Sequence, residues 1–427
     1  MVNLKYKPCG VVDKHLIFQV PWRSFRLEGV MFPMSDVYQR SVELHRAHRG
    51  KVSVESRVPL ETREDLSLAY TPGVAEPCRL IEKDPDEAYQ MTSKGSTVAV
   101  VTDGSAVLGL GDIGPLAALP VMEGKCCLFK RFAGLDAFPL CVDERDPDAF
   151  VDAVAKVSVS FGGINLEDIS APRCFEIEEK LQDRLDIPVF HDDQHGTAVV
   201  VAAGLLNALK LRGTPIQGCR IVMNGIGAAG SAIAEMLMHL GARDLVLCDR
   251  YGVMDPSDER LSHRQRELAA RTNPAGVKGD LSEALKGAEV FIGVSKGGLL
   301  DQASIRSMGD RPVVFAMANP TPEIFPQEAK AAGAFVVATG RSDFPNQVNN
   351  CLGFPGIFKG ALAVRARRIN LEMKLAAAMA IAAVVQDSLE VDRIIPDPLD
   401  PRVVPAVAGA VADAAVKTRV ARVSHGG

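Results

Sequence analysis

Aromatic residues are scarce in this sequence, with 5 Tyr and 1 Trp among 427 residues, and there is no basic run. Nucleic-acid binders present a stripe of Lys and Arg, so neither DNA nor RNA is an expected partner. A polybasic membrane patch is excluded on the same ground. The formal net charge is −5, which leaves any anion to be bound in a locally built pocket. The nine cysteines are odd in number and include no C-x-x-C pair. Most lie in apolar segments, as buried small hydrophobes do in a reducing compartment. The longest uncharged apolar stretches, 198–206 and 375–385, are too short to cross a bilayer. No apolar region with a small-residue cleavage site opens the chain. These absences lead to the expectation of a cytoplasmic globular protein with no membrane partner.

The length suits two or three domains. Residues 35–50 and 76–90 have the spacing of surface helices. The β-branched run Thr97–Thr102 reads as a buried strand that ends in the turn Asp103-Gly104. Helical spacing returns at 148–160 and 173–185. Pro188-Val189-Phe190 is a short strand leading into His191-Asp192-Asp193. From residue 219 onward strands alternate with helices, which argues a doubly wound parallel sheet. The expected fold class is therefore α/β. A mixed α/β substrate domain (35–195) precedes a Rossmann-like domain (196–365) and a C-terminal helical segment (366–427). Residues 1–34 read as an extension without an assigned role.

Strand 219–224 runs into Gly225-Ile226-Gly227-Ala228-Ala229-Gly230, then a helix, then a strand ending at Asp249. The first glycine makes the turn, the second lets the backbone approach a pyrophosphate, and the third packs helix on strand. An acid at the end of the second strand binds the adenosine ribose hydroxyls. Gly109-Leu110-Gly111-Asp112-Ile113-Gly114 matches the same pattern, but it starts well after its strand and Pro115 follows at once. It reads as a structural turn. The expected cofactor is a nicotinamide dinucleotide. Asp249 favours a free 2′-hydroxyl and hence NAD, while Arg250 could pair with a 2′-phosphate and hence NADP.

Two acidic clusters stand out, Glu167-Asp168 and Asp192-Asp193, both read as lying in glycine-bearing loops. Hard cations such as Mg²⁺ or Mn²⁺ take six oxygen ligands, and three carboxylates would leave three positions for substrate and water. His191 and His195 raise a zinc reading, which is the weaker one. Each acidic pair alone is more often solvated or helix-capping than metal-bound.

Taken in order, Leu68-Ala69-Tyr70-Thr71-Pro72-Gly73-Val74, Thr102-Asp103-Gly104, Pro120-Val121-Met122-Glu123-Gly124-Lys125, Gly163-Ile164-Asn165-Leu166-Glu167-Asp168 and His191-Asp192-Asp193-Gln194-His195-Gly196-Thr197 resemble the malic enzyme family, above all its compact bacterial members. The likeness covers about residues 35–370. It implies conversion of (S)-malate to pyruvate and CO₂ with reduction of NAD or NADP. Carried over residue by residue, it makes Tyr70 the general acid and Lys125 the general base. Asp192 would stand beside them, and Glu167, Asp168 and Asp193 would hold the metal. Asn319, with Asn349 and Asn350, would touch the substrate. The dinucleotide set becomes Gly225, Gly227, Ala228, Ala229, Gly230, Asp249, Arg250, Ser295 and Asn319. A homodimer or higher homo-oligomer is expected. Larger family members grip a substrate carboxylate with an arginine after Thr-Asp-Gly, where this sequence has Ser105-Ala106-Val107-Leu108.

The chemistry asks for such residues. Removing a hydride from C2 of malate requires a base for the hydroxyl proton, and a free lysine is mostly protonated at neutral pH. A nearby cation, with burial, would lower that pKa. Lys130 is the rival base. Without the family likeness, Lys125 would read as a surface charge in a glycine-rich turn, and Tyr70 as a half-buried ring before a Pro-Gly turn. The alternative reading is a non-decarboxylating hydroxy-acid or amino-acid dehydrogenase, which would not need the metal ligands.

Overall fold

The computed structural model describes residues 34–107 and 109–424. The rest of the expected N-terminal extension lies outside those residues. The chain divides into two units, residues 1–50 and 51–427. In the first, the described part is helix α1 (Met34–His48), whose Val37, Val42 and Leu44 are exposed.

The second unit opens with three short helices, α2 (Arg63–Ala69), α3 (Ala75–Lys83) and α4 (Ala88–Met91). Thr62 and Asp65 start α2 with a reciprocal capping box. The single helix expected over 76–90 is instead split at Asp84-Pro85, because proline cannot continue the hydrogen-bond ladder and starts a new turn there.

A first sheet follows: β1 (Thr97–Thr102), α5 (Pro115–Leu128), β2 (Asp136–Cys141), α6 (Pro147–Val157), β3 (Gly163–Leu166), α7 (Arg173–Arg184) and β4 (Val189–His191). Its order is β2-β1-β3-β4, all parallel. All six residues of β1 are buried. Packing on both faces removes any need for polar alternation, which is why Thr-Val-Ala-Val-Val-Thr reads as one continuous run. Register then brings chemistry together. Leu166 stands opposite Val101 on one side and His191 on the other. Asp103, Glu167 and Asp192 therefore leave the sheet at the same carboxyl edge.

Helix α8 (Asp192–Arg212) crosses from this sheet to the next, and Ala and Val make up half of its buried residues. It runs through the boundary expected at 195/196. The second sheet comprises β5 (Arg220–Asn224), α9 (Ala228–His239), β6 (Asp244–Asp249), β7 (Gly252–Val253), α10 (His263–Ala270), α11 (Leu281–Leu285), β8 (Val290–Gly293), α12 (Gln302–Ser307), β9 (Val313–Ala316), α13 (Pro326–Ala331) and β10 (Val336–Thr339). Its order is β10-β9-β8-β5-β6-β7, with only β7 antiparallel. This is the doubly wound α/β arrangement expected. The direction of winding reverses between β5 and β8, and such sheets bind ligands beyond the carboxyl ends of those strands. Helices α14 (Phe354–Ala363), α15 (Leu371–Ala383) and α16 (Val403–Lys417) complete the chain. Among the described residues no helix is long and apolar enough to cross a membrane, and all eight described cysteines are free.

Candidate active site

The carboxyl edge of the first sheet carries the charged cluster. Lys125 sits within α5, buried to 7% exposure, and not in a surface turn as its glycine-rich surroundings suggested. Its Nζ lies 2.6 Å from Asp192 Oδ2 and 2.8 Å from Glu167 Oε1. Beneath it, 4.3 Å from the ammonium, is the Phe354 ring. Phe354 and Phe358 both pack edge-on against Phe129, which makes that wall apolar. Burial alone would lower the lysine pKa, but the carboxylates of Asp192 and Glu167 outweigh it and hold the ammonium above the ordinary lysine range. Of the two causes expected to lower that pKa, burial is thus outweighed by the two carboxylates. Lys130 is instead exposed and paired with Asp136.

Glu167, Asp168 and Asp193 bring carboxylate oxygens within 4.8 Å of one another. Asp168 has φ 53°, a left-handed conformation that aspartate tolerates better than most residues. Its backbone N–H donates to Asp193 Oδ2 at 2.7 Å, which ties the two acidic segments together. The Glu167 carboxyl is raised well above its usual range, by burial first and further by Asp193, Asp192 and Asp168, with Lys125 opposing. Crowded carboxylates of this kind call for a cation. An all-oxygen donor set suits Mg²⁺ or Mn²⁺, so the residues present fit the metal that the sequence implied.

Asp192 and Asp193 form the first turn of α8 rather than a loop. Acidic side chains are favoured at a helix N-terminus, where the orphan N–H groups and the dipole meet them. Gly196, one turn on, leaves the space that Asp192 needs: a Cβ there would be 1.8 Å from Asp192 Oδ1. That same Cβ would be 3.2 Å from Asn350 Cβ, so Asn350 lies over the Asp192 turn. Asn349 spends its Oδ1 accepting the Cys351 N–H, 2.9 Å away.

Two histidines had suggested zinc. His195 is occupied elsewhere: Nε2 is 3.0 Å from Glu178 Oε2 and Nδ1 is 3.0 Å from Lys374 Nζ. Burial pushes the imidazole down, so at neutral pH it donates from Nε2 to Glu178 and accepts from Lys374 at Nδ1. Glu178 also accepts the His191 N–H at 2.9 Å and Gln194 Nε2 at 3.1 Å. This buried carboxylate braces the turn that carries Asp192 and Asp193. Burial opposes its ionisation, yet His195 and the Lys374 ammonium hold it down to about 2. Sequence reasoning missed Glu178 and Lys374. The one available signal was an acid on the apolar face of α7, beside Ile177 and Leu181.

The turn that lacks the family arginine lies against the same edge. Ser105 Oγ donates to Asp103 Oδ1 at 2.6 Å and accepts the Ser170 N–H at 2.9 Å. The Ala106 N–H donates to the Asp168 carbonyl at 2.9 Å. Arg173, from α7, reaches Asp103 Oδ2 at 2.6 Å. Tyr70 is not drawn into this cluster. It caps the C-terminal end of α2 and is 67% exposed, more than the half-buried ring expected. Among the described residues no hydrogen bond joins it to Lys125.

At the second sheet the three glycines of the turn differ in the space around them. A Cβ on Gly230 would come within 1.9 Å of the Gly225 carbonyl oxygen, whereas one on Gly227 meets nothing within 4 Å. Ala228 and Ala229 begin α9. Across the reversal point, a Cβ on Gly225 would lie 2.6 Å from Ser295 Cβ. Ser295 Oγ accepts Asn224 Nδ2 at 2.8 Å. Glu323, fully buried and also unforeseen, accepts the Ala318 N–H at 3.0 Å and the Ser295 N–H at 3.4 Å, so it fixes the loops that present Ser295 and Asn319. Asp249 ends β6 and accepts the Tyr251 N–H at 2.7 Å. Arg250 is exposed, with its guanidinium 5.3 Å from the Tyr251 ring. The turn at 109–114, with left-handed Gly109, Gly111 and Gly114, leads directly into α5.

Comparison with known proteins matches these two halves to one family. Residues 49–182 match the family model for the malic enzyme N-terminal domain and residues 194–416 that for the malic enzyme NAD binding domain. The chain is 55% identical over 374 residues to the NAD-dependent malic enzyme of Geobacillus stearothermophilus, covering 87% of this chain and 78% of that one. It is 51% identical over 391 residues to the NADP-dependent malic enzyme of Halomonas elongata, covering 87% and 92%. The crystal structure of malic enzyme from Pyrococcus horikoshii Ot3 superposes with a TM-score of 0.88 at 49% identity, covering 91% of this chain and 92% of that one. The chain belongs to the malic enzyme family of NAD- or NADP-dependent oxidoreductases.

Proposed function

We propose that the chain carries out oxidative decarboxylation of malate, with Lys125 as base and Tyr70 as acid. The observation that carries this reading is the buried Lys125–Asp192–Glu167 contact at the edge of a three-carboxylate cluster. Malate dianion and the oxidised dinucleotide give pyruvate, CO₂ and the reduced dinucleotide with no net proton. The C2 hydroxyl gives up a proton and C3 gains one, so the chain must supply both a base and an acid.

Lys125 takes the hydroxyl proton and Asp192 orients it, 2.6 Å away. Glu167, Asp168 and Asp193 would hold Mg²⁺ or Mn²⁺, which would supply a Lewis acid for the C2 oxygen during loss of CO₂, and the dinucleotide would supply the hydride acceptor. A cation there would compete with Lys125 for the Glu167 carboxylate and would lower the lysine pKa toward the working range. Tyr70 then protonates C3 of the enolate. Asn319 and Asn350 orient the substrate. Asn350 is favoured over Asn349 because the latter already caps its own turn. With no arginine in the Ser105 turn, a substrate carboxylate falls to these amides and to backbone N–H groups.

The dinucleotide lies across Gly225–Gly230, Ser295 and Asn319, with Asp249 at the adenosine ribose. Asp249 supports NAD and the exposed Arg250 beside it supports use of NADP as well. The substrate and metal domain spans 35–195, the dinucleotide domain 196–365 and the helical segment 366–427. Free cysteines throughout the described residues fit a reducing cytoplasm, and the working form is a homodimer or a multiple of one. The direct test is malate with Mn²⁺ and either dinucleotide: pyruvate should form and EDTA should stop it. Oxaloacetate accumulating without pyruvate would favour the non-decarboxylating alternative.

A further inference from the structure

Asp192 and Asp193 are adjacent in the chain but serve different parts of the site. Asp192 accepts from the Lys125 ammonium at 2.6 Å, while Asp193 accepts the Asp168 N–H at 2.7 Å within the carboxylate cluster. The residues on both flanks of this pair converge on one buried carboxylate, Glu178 of α7. His191 donates its backbone N–H to Oε1 at 2.9 Å. Gln194 Nε2 donates to Oε2 at 3.1 Å, and His195 Nε2 stands 3.0 Å from the same oxygen. Gln182, one turn along α7, supplies a further donor to Oε1 at 3.2 Å. Two donors on each of two oxygens suit a carboxylate, whereas an amide has one oxygen to offer.

His195 is itself held from two sides. Its ring packs on Phe190 with centroids 5.4 Å apart, and its Nδ1 lies 3.0 Å from Lys374 Nζ. Lys374 comes from α15, in the C-terminal helical segment. The negative charge that most favours its ammonium is Glu178, on the far side of the imidazole. Helices α7, α8 and α15, far apart in the chain, thus meet at one carboxylate. We propose that Glu178 is a positioning residue for the reaction: it clamps both flanks of Asp192-Asp193, and Lys374 locks the clamp through His195. A single anchor then sets the reach of Asp193 to the metal and of Asp192 to the base. Sites of this kind must hold their side chains to about 0.5 Å, which one end of a helix cannot do unaided. This rests on the reading of Glu167, Asp168 and Asp193 as metal ligands.

The test reads Mn²⁺ binding directly, without turnover, from the electron paramagnetic resonance signal of free Mn²⁺ titrated with metal-free protein. Wild type is compared with Glu178→Gln, Lys374→Met and the double variant. Glu178→Gln should raise the Mn²⁺ dissociation constant about 10–100-fold and lower kcat at saturating Mn²⁺ by about tenfold or more, with dinucleotide affinity within about twofold. Lys374→Met keeps the carboxylate and should raise the Mn²⁺ constant less. In the double variant the charge that Glu178→Gln leaves uncompensated is gone, so the urea midpoint should recover. Mn²⁺ affinity should not recover with it, because Gln194 and His195 still lack their acceptor. Wild-type Mn²⁺ affinity in a destabilised Glu178→Gln protein would make the residue merely structural and overturn the proposal. Recovery of Mn²⁺ affinity in the double variant would overturn it too, since charge compensation alone would then be at work. That second outcome also decides the matter should Glu178→Gln not fold. A wild-type protein that binds no Mn²⁺ would overturn the metal reading itself, and the clamp with it.

Discussion

Two glycines three residues apart should fail in opposite ways when each becomes alanine. At Gly230 the new Cβ would stand 1.9 Å from the Gly225 carbonyl oxygen and 3.4 Å from Val294 Cγ2. An ordinary carbon–oxygen contact is about 3.3 Å, so backbone must open by more than 1 Å where β5 turns into α9. Overpacking of a tight contact costs about 1–3 kcal/mol, and rigid backbone puts this one at the upper end. At Gly227 the Cβ meets nothing within 4 Å and φ is −92°, outside the left-handed region. Stability should then change by no more than about 0.5 kcal/mol. The space that Cβ enters is where a pyrophosphate approaches the backbone. A tenfold or greater rise in the KM for the dinucleotide is expected, equal to about 1.4 kcal/mol. Urea unfolding of both variants, alongside initial rates at saturating malate and Mn²⁺, separates the two effects. A Gly230→Ala protein with the wild-type midpoint would refute the packing argument. Unchanged KM for both dinucleotides in Gly227→Ala would mean that the crevice is elsewhere.

Glu178 predicts a pH dependence with a definite sign. Its folded pKa, about 2, is below the ordinary 4.5, so its contribution is present above about pH 4.5 and is lost as pH falls toward 2. Roughly two units at 1.36 kcal/mol each give about 3 kcal/mol. Glu178→Gln should be less stable at pH 7 and flatter between pH 5 and 2, as read by chemical denaturation across that range. Replacing Lys125 by alanine should abolish malate oxidation while dinucleotide binding persists, and Lys130→Ala, at an exposed pair with Asp136, should stay within twofold of wild type. The opposite pattern would move the base to Lys130. Asp249→Ala should weaken NAD more than NADP, and Arg250→Ala should do the reverse; equal effects in initial rates with the two dinucleotides would place the adenosine pocket away from the end of β6.

What was legible in the sequence was whatever a local period or a local spacing can encode. The run from Arg220 to Asp249 announces strand, glycine turn, helix and acid within thirty residues, and each part appears where the pattern put it. Asp192 and Asp193 were visible as chemistry but assigned to a loop, because Gly196 in the second turn of α8 looked like a helix breaker. Its absence of a side chain instead answers a tertiary demand, the room taken by Asp192. Lys125 misled for the same reason: Pro120 and Gly124 suggested a turn, yet both lie inside α5, where a buried lysine is stabilised by acids 42 and 67 residues away in the chain. Glu178, Lys374 and Glu323 carry no local signature at all. Each is a lone charge whose partners come from other elements, and only the parallel register of β1, β3 and β4 or the reversal at β5 and β8 brings those partners near. Tyr70 is the limiting case. Its motif was the easiest to read, yet a local motif says nothing of the surroundings a side chain meets in the fold, and the ring stands 67% exposed at the C-terminal end of α2.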